Sequence, residues 1–311
     1  MDLVSVVIPT LDGGALFRDV LFRLRNQRLD APLEIVLMDS GSRDQTLSYA
    51  REFDCRVEPV TRGTFDHGLT RNAGIAACGG AVVVLMTQDA LPAHDRVVSE
   101  LARPFADPSV AGVFARQVPR PDADVLVARN VSQWVAGAAE AQTSQVTDRA
   151  AYERMTPAQR HRFCVFDNVC SAVRRAVWEQ IPFRQNDFGE DLDWSKRALE
   201  AGWKIVFQPT AQVVHSHDRS AMYEYKRTYM CHRKLYSLFG MANIPHWRYV
   251  PRCIMGATLG DTRYLLAHEH RWRARLRLLG RIPALAVASV LGQYHGARDE
   301  RRQRGRKLAG V

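Results

Sequence analysis

The chain has 311 residues, a net charge of +10 and ordinary apolar and charged fractions, so it can bury a sizeable core in one large domain or two small ones. Its six cysteines form neither a CxxC pair nor a Cys/His zinc spacing. We find no secretory signal before the first strand-like segment and no run of eighteen apolar residues. These features predict a protein of a reducing, cytoplasmic compartment.

Short apolar runs alternate with segments of helical spacing in the first third of the chain. Residues 3–10, 33–38 and 56–60 read as three strands, each followed by a loop or a helix. Residues 81–86 form a β-branched run that is typical of a strand buried on both faces. This alternation predicts an α/β fold with a right-handed, mostly parallel central sheet flanked by helices.

Polar residues follow two of the predicted strands at the point where each strand ends. Thr87, Gln88 and Asp89 come directly after the buried run, and Asp39 follows the second strand. Ligands of open α/β sheets bind outside the carboxyl ends of the strands, so chemistry is expected here. Asp39 either closes a turn or accepts hydrogen bonds from a nucleotide, and its position leaves both interpretations open.

Two predicted helices begin with residues suited to anion binding or proton transfer. Arg71 lies in the first turns of a helix that follows a Gly/Asn/His-rich segment, and is either solvated or bound to a diphosphate. Glu190, Asp191 and Asp193 open another helix. Acidic residues are common at helix N-termini, but three within four positions exceed what capping needs, and one could be a general base.

Two histidines follow the last predicted strands, at residues 204–207 and 212–214. His215 and His217 are two positions apart on an extended segment, so their side chains point the same way and could bind a metal. The commoner role of a histidine is structural. From Met222 onward the pattern predicts helices.

The positive charge is densest in the last fifty residues. A basic surface attracts nucleic acid, anionic lipid or phosphorylated substrates, but the chain has no helix-turn-helix, zinc-finger or aromatic-basic RNA signature. We therefore expect no nucleic-acid partner. Residues 282–291 are apolar but too short to span a bilayer. They form either a helix on an anionic membrane surface, a helix docked against the core, or part of a homo-oligomer interface.

In this order and spacing, the motifs resemble the family 2 inverting glycosyltransferases, which have the GT-A fold, over residues 3–220. The resemblance implies a nucleotide-sugar-binding and catalytic domain at residues 1–220 and a basic helical region at 221–311. Family members carry Asp-x-Asp after the central strand, whereas residues 87–90 here read Thr-Gln-Asp-Ala. That variant is similar to the bacterial rhamnosyltransferase branch and implies dTDP-L-rhamnose as the donor.

The resemblance also implies roles for individual residues. Asp191 would be the catalytic base. A divalent metal, Mg²⁺ or Mn²⁺, would bind at Asp89, His215 and His217. Because this site has one carboxylate fewer than in Asp-x-Asp enzymes, we expect the metal to arrive with the donor. The nucleotide sugar would contact Pro9, Thr10, Asp39, Arg71, Thr87, Gln88, Asp89 and Glu190.

The sequence leaves three alternatives open. The first keeps the chemistry and takes a UDP-hexose or UDP-N-acetylhexosamine donor. The second is a sugar-phosphate nucleotidyltransferase, which would need a basic glycine-rich loop after the first strand; residues 11–14 contain no lysine. The third is a nucleotide-sugar sensor, disfavoured by the carboxylates. A glycan or lipid-linked glycan acceptor at the inner face of the cytoplasmic membrane fits the basic C-terminal region.

Overall fold

The structure, a computed structural model, describes residues 3–185 and 188–308. Within these residues one sheet contains nine strands, labelled β1 to β9 in chain order: Val4–Thr10, Leu33–Asp39, Arg56–Pro59, Val82–Met86, Leu91–Pro92, Val110–Val118, Gln142–Gln145, Cys170–Arg174 and Lys204–Val214. The α-helices, labelled α1 to α12, are Gly14–Arg25, Thr46–Glu52, His67–Ala77, Val97–Ala102, Val125–Gln133, Arg149–Arg154, Pro157–Phe163, Arg175–Gln180, Glu190–Glu200, Ala221–Phe239, Val250–His268 and Trp272–Leu308.

The sheet combines parallel and antiparallel strands. Strands β3, β2, β1 and β4 are parallel neighbours, so their carboxyl ends share one edge. Strand β8 lies between β4 and β6 and is antiparallel to both, whereas β9 is parallel to β6 and antiparallel to β5 and β7. The predicted α/β class is confirmed, but parallel pairing is less prevalent than predicted. An apolar pattern identifies a strand and does not encode its direction in the sheet.

Strand β9 is a second departure from the predicted elements. The sequence predicted two strands, at residues 204–207 and 212–214, and the structure has one, Lys204–Val214. Its pairing with β6 is interrupted between Gln208 and Gln212. Pro209 lies in this interruption and has no N–H to donate to a neighbouring strand. The break in the apolar pattern therefore marks an irregularity within one strand.

Helix α3 packs against the buried core of the sheet, close to the strand ends. Strands β1 and β4 are buried over almost their whole length, as the sequence predicted for β4. Helix α3 packs tightly on the sheet, because a Cβ at Gly74 would lie only 2.3 Å from Cγ1 of Val7. Arg71 precedes Gly74 by three positions and lies on the same face of the helix. This packing directs Arg71 inward.

The chain divides into two compact units. The first comprises Met1–Arg120, Val131–Arg154 and Arg162–Ser216, and the second comprises Pro121–Asn130, Met155–His161 and His217–Val311. The functions expected of residues 1–220 and 221–311 stay predictions. Residues 1, 2, 186, 187 and 309–311 of those ranges lie outside the described residues.

The second unit contains α10, α11 and α12. Leu278, Ile282, Ala286 and Val290 of α12 are buried at a spacing of four residues, so one face of this helix packs inward. The apolar residues at 282–291 therefore include a packed helix face, and which of the three expected contacts this segment makes stays a prediction. Across residues 3–185 and 188–308, no helix has both the length and the apolar character that crossing a bilayer requires.

Candidate active site

Gln88 connects the loop after β1 to the loop after β4 through two hydrogen bonds. Its Oε1 accepts a hydrogen bond from the backbone N–H of Leu11 at 2.8 Å, and its Nε2 donates to the carbonyl of Leu11 at 3.0 Å. The Asp12 carboxylate accepts from the N–H of Arg43 at 2.7 Å, which joins the β1 loop to the β2 loop. Asp12 has a φ of 48°, in the left-handed region. These contacts shape the edge of the sheet where the predicted nucleotide site lies.

Asp39 lies at the centre of the β2 loop. Its carboxylate accepts hydrogen bonds from the N–H groups of Gly41 and Ser42, both at 3.0 Å, and from the Thr10 hydroxyl at 3.1 Å. Thr10 and Asp39 are buried, and Pro9 precedes Thr10 in β1. Asp39 therefore closes the turn that follows β2. Contact of Pro9, Thr10 or Asp39 with a nucleoside stays a prediction.

The residues after β4 have different environments. The Thr87 N–H donates to the carbonyl of Val169 at 3.1 Å, and its hydroxyl oxygen is buried without a hydrogen-bond partner among the described residues. Asp89 is partly exposed, and its Oδ2 lies 3.7 Å from Nη2 of Arg120. The amide of Gln88 is therefore bound to Leu11, the Thr87 hydroxyl is buried, and Asp89 lies beside the cationic side chain of Arg120.

The structure brings the three predicted metal ligands together. His215 follows β9 directly, and its Nε2 lies 3.6 Å from Oδ2 of Asp89. One potential ligand atom from each of Asp89, His215 and His217 lies within 4.8 Å of the others. One carboxylate and two imidazoles suit Mn²⁺, whereas Mg²⁺ prefers oxygen ligands throughout. The donor set therefore fits a divalent metal, and fits Mn²⁺ better than Mg²⁺.

Arg71 and Glu190 form a buried ion pair. Nη1 of Arg71 donates to Oε1 of Glu190 at 2.8 Å, and the side chains are 3% and 7% exposed. Asn168 donates to the same oxygen from Nδ2 at 3.1 Å. Burial by itself raises the pKa of Glu190, but the positive charges of Arg71 and His67 and the Asn168 hydrogen bond together lower it. The Arg71 guanidinium is therefore bound to Glu190, and its predicted contact with a diphosphate stays untested.

Asp191 lies at the start of α9, after Gly189, whose φ of 69° suits glycine. The Asp191 carboxylate accepts hydrogen bonds from the N–H of Asn168 at 3.2 Å and from the N–H of Leu192 at 2.7 Å. Desolvation by the surrounding protein raises the pKa of Asp191 to about 8, and the charges of Glu190 and Asp167 add to the increase. The residue as a whole is half-buried. It can therefore accept a proton in the neutral pH range.

The three acidic residues of α9 have distinct roles. Glu190 is paired with Arg71, and Asp193 is paired with Arg197 one turn later, at 2.9 Å. Within the described part of the chain, Asp191 forms no ion pair. Of the three, Asp191 is thus the carboxyl whose electrostatic environment favours proton uptake.

The family of the chain follows from its sequence. Residues 2–230 match the family model described as glycosyltransferase like family 2, which covers most of the chain. The chain belongs to glycosyltransferase family 2. It is therefore a glycosyltransferase, and the nucleotidyltransferase and sensor alternatives are set aside.

Two relatives of this glycosyltransferase are named for rhamnose transfer. The O-antigen chain rhamnosyltransferase RfbN of Salmonella typhimurium is 30% identical over 230 residues, covering 72% of this chain and 69% of RfbN. The O-antigen chain rhamnosyltransferase WbaN of Salmonella anatum is 28% identical over 232 residues, covering 73% of this chain and 70% of WbaN.

Solved structures of glycosyltransferases share the fold. The mannosyltransferase PcManGT from Pyrobaculum calidifontis, in complex with GDP-Man and Mn²⁺, has a TM-score of 0.58 and 19% identity, covering 92% of this chain and 86% of its own. TarS of S. aureus, in complex with UDP-GlcNAc, has a TM-score of 0.51 and 15% identity, covering 97% and 92%. These likenesses confirm the predicted GT-A-type α/β fold with a helical C-terminal region.

The site of this glycosyltransferase also contains residues that the sequence did not indicate. Asn168 donates hydrogen bonds to both Glu190 and Asp191, and Arg120 lies beside Asp89. Asn168 is followed by β8 and Arg120 follows β6. Neither residue belongs to a recognisable motif, and only the pairing of distant strands brings them to the site.

Proposed function

We propose that this glycosyltransferase transfers L-rhamnose from dTDP-L-rhamnose to a hydroxyl of a glycan or lipid-linked glycan in bacterial polysaccharide synthesis. The donor assignment rests mainly on the similarity to RfbN and WbaN over more than two thirds of the chain. The Thr-Gln-Asp-Ala sequence at residues 87–90 supports the same donor.

Asp89, His215 and His217 would bind the divalent metal, with Mn²⁺ favoured by the two imidazoles. When bound, the metal supplies positive charge that stabilises the departing diphosphate. Arg120, close to Asp89, adds positive charge at the same edge of the sheet. Gln88 keeps the β1 loop in place beside this group.

Asp191 acts as the general base in this proposal. Its carboxylate removes the proton from the acceptor hydroxyl as that oxygen attacks the anomeric carbon from the face opposite the diphosphate. The configuration therefore inverts, from a β-linked donor to an α-linked rhamnoside. General base assistance contributes about 10² to 10⁴-fold in rate, or roughly 3–5 kcal/mol.

Two sets of contacts orient the base. The N–H groups of Asn168 and Leu192 donate to the two oxygens of the Asp191 carboxyl and restrict its rotation. The buried Arg71–Glu190 pair joins α3 to the first residue of α9. Arg71 and Glu190 therefore act on the reaction by positioning Asp191.

We further propose that an exposed face of α11 contacts the membrane that carries the acceptor. Met255, Leu259 and Leu266 are 59%, 49% and 47% exposed, and their spacing places them along one side of the helix. Arg252 and Arg263 are exposed on the same helix. Apolar side chains flanked by arginines suit the surface of an anionic bilayer.

A flotation assay with vesicles of neutral and anionic phospholipid tests the membrane contact. The double variant Leu259→Glu, Leu266→Glu should lose binding to anionic vesicles, while Phe22→Glu, at an exposed apolar residue of the first unit, should keep it. Unchanged flotation of the double variant contradicts the proposal. If the double variant converts a dimer to a monomer and still floats with the vesicles, this face of α11 binds a second copy of the chain.

Calorimetric titration tests the donor. We expect dTDP-L-rhamnose to bind more tightly than UDP-glucose and UDP-N-acetylglucosamine, and more tightly with Mn²⁺ than without it. A preference for the UDP sugars would keep the family and overturn the rhamnose assignment.

A further inference from the structure

Gln117 connects a predicted metal ligand to a buried hydrogen-bond network. It lies in β6 and is 9% exposed. Its Oε1 lies 3.0 Å from Nδ1 of His215, and its Nε2 lies 2.6 Å from Oδ2 of Asp167. Gln117 therefore bridges the residue after β9 and the segment before β8.

The chemistry of Asp167 determines which way the Gln117 amide faces. Oδ2 of Asp167 also accepts a hydrogen bond from Nε1 of Trp134 at 3.2 Å, and an indole nitrogen can only donate. This oxygen is thus an acceptor, so the amide group of Gln117 that faces it must be the NH₂. The amide oxygen then faces His215.

The orientation of the amide determines the tautomer of His215. A carbonyl oxygen only accepts hydrogen bonds, so Nδ1 of His215 must carry the proton. In a neutral imidazole the other nitrogen, Nε2, is then unprotonated and carries the lone pair. Nε2 is the atom that lies 3.6 Å from Asp89. The lone pair is therefore presented to the group that could bind a metal.

We propose that Gln117 is a positioning residue that fixes the Nδ1–H tautomer of His215 and so presents Nε2 to the divalent metal. This inference rests on the metal site of the proposed function. Partners of this kind on the second ring nitrogen orient the histidine ligands of many metal sites. Here the partner is an amide, and its own orientation is imposed by Asp167.

The same network reaches the proposed base. Asp167 also accepts a hydrogen bond from the N–H of Val169 at 3.0 Å, which shapes the turn that contains Asn168. The Asn168 N–H donates to Asp191. One short turn therefore supports both the Gln117–His215 contact and the carboxyl of Asp191, so the two halves of the site are positioned by a common segment.

Nitrogen-15 NMR of the imidazole rings tests the tautomer in the metal-free protein. The His215 signals are assigned by their loss in His215→Ala and recorded at a pH well above the ordinary histidine pKa of about 6.5. We expect protonated Nδ1 and unprotonated Nε2 in the wild type, and a mixture of tautomers in Gln117→Leu. A protonated Nε2 in the wild type overturns the inference without requiring any variant at Gln117.

Mn²⁺ affinity, measured by the electron paramagnetic resonance signal of free Mn²⁺, tests the consequence. Gln117→Leu should bind Mn²⁺ about 10- to 100-fold more weakly than the wild type. Gln117→Glu should bind Mn²⁺ more tightly than Gln117→Leu but less tightly than the wild type, because its carboxyl can accept from Nδ1–H only while it shares a proton with the facing oxygen of Asp167. Gln145→Ala, at a half-buried glutamine that donates to the carbonyl of Gly202, is the matched control and should bind normally.

Equal Mn²⁺ affinity of Gln117→Leu and the wild type overturns the inference, as does a protonated Nε2 of His215 in the metal-free wild type. These measurements use no sugar nucleotide. Their failure is therefore distinguishable from failure of the rhamnosyltransferase proposal, which would appear as absent binding of dTDP-L-rhamnose.

Discussion

Arg71 and Glu190 are 119 positions apart in the chain and form a buried ion pair at 2.8 Å. Glu190 is the first residue of α9, and Asp191 is the second. The pair therefore joins α3, which packs on the sheet, to the helix start that carries the proposed base. Because the pair is buried, each charge is stabilised mainly by the other.

Removal of Arg71 should destabilise the protein strongly. Arg71→Ala leaves the Glu190 carboxylate buried without its cation, which costs about 3–5 kcal/mol in free energy of unfolding. Urea denaturation measures the loss. Arg149→Ala is the matched control, since the Arg149–Glu153 pair is exposed and its removal should leave the urea midpoint almost unchanged. A similar midpoint for both variants would contradict the role given to the buried pair.

Activity should increase with pH through the neutral range and beyond pH 8. Asp191 must be ionised to accept a proton, and the pKa of this carboxyl is raised to about 8. In the free enzyme at pH 7 most of the base is therefore protonated. The pH profile of kcat/KM for donor turnover should rise through the neutral range, be half-maximal near pH 8 and level off above about pH 9. A profile already flat from pH 5 upward would contradict the raised pKa.

Stability should respond to pH in the opposite direction. The pKa of Asp191 is higher in the folded state than in the unfolded state, so between about pH 4 and pH 8 the folded protein binds a proton that the unfolded chain does not. This proton binding stabilises the folded state. The stabilisation falls as the pH rises through that range. Asp191→Asn removes the titration. When the pH is raised from 4.5 to 8, the free energy of unfolding of the variant should increase relative to that of the wild type by on the order of 1 kcal/mol or more. Thermal unfolding at the two pH values measures this difference.

The same variant separates catalysis from binding. Asp191→Asn should lower turnover by about 10² to 10⁴-fold while donor affinity changes little, because Asp191 faces the acceptor in the proposed mechanism. Near-normal turnover, or loss of donor binding in a folded variant, would rule out Asp191 as the base.

Loss of the Asp89 charge should weaken metal binding. Asp89→Asn removes the one carboxylate of the candidate metal group, and Mn²⁺ affinity should fall by more than about tenfold. Asp122→Asn, at an exposed aspartate, serves as the control and should bind Mn²⁺ like the wild type. A chelator should abolish transfer by the wild type, and added Mn²⁺ should restore it better than Mg²⁺.

Gly74 should tolerate no larger residue. A Cβ there meets Cγ1 of Val7 at 2.3 Å, so Gly74→Ala must push α3 away from the sheet and should cost about 1–3 kcal/mol. It should also lower activity, because α3 carries Arg71. Gly256→Ala in α11 has no atom within 4 Å of the new Cβ and should be neutral or stabilise by about 0.5–1 kcal/mol. Equal effects on Tm would contradict the close packing of α3.

The sequence predicted those parts of the site that follow directly from strand ends. Asp89 follows the most apolar strand, His215 follows β9, and the structure brings both together. It could not predict the partner of Arg71, because an arginine at a helix start is compatible with solvent, a phosphate or a distant carboxylate. Gln117 and Asn168 carry no local signal, and their roles depend on the insertion of β8 between β4 and β6.

The most direct test of the account is the anomeric configuration of the product, determined by NMR after incubation of the enzyme with dTDP-β-L-rhamnose, Mn²⁺ and lipid-linked or free glycan acceptors. We predict an α-linked rhamnoside, formed by the wild type and not detectably by Asp191→Asn. A β-linked rhamnoside would contradict a single displacement with Asp191 as base. Transfer from a UDP sugar in place of dTDP-rhamnose would contradict the donor assignment.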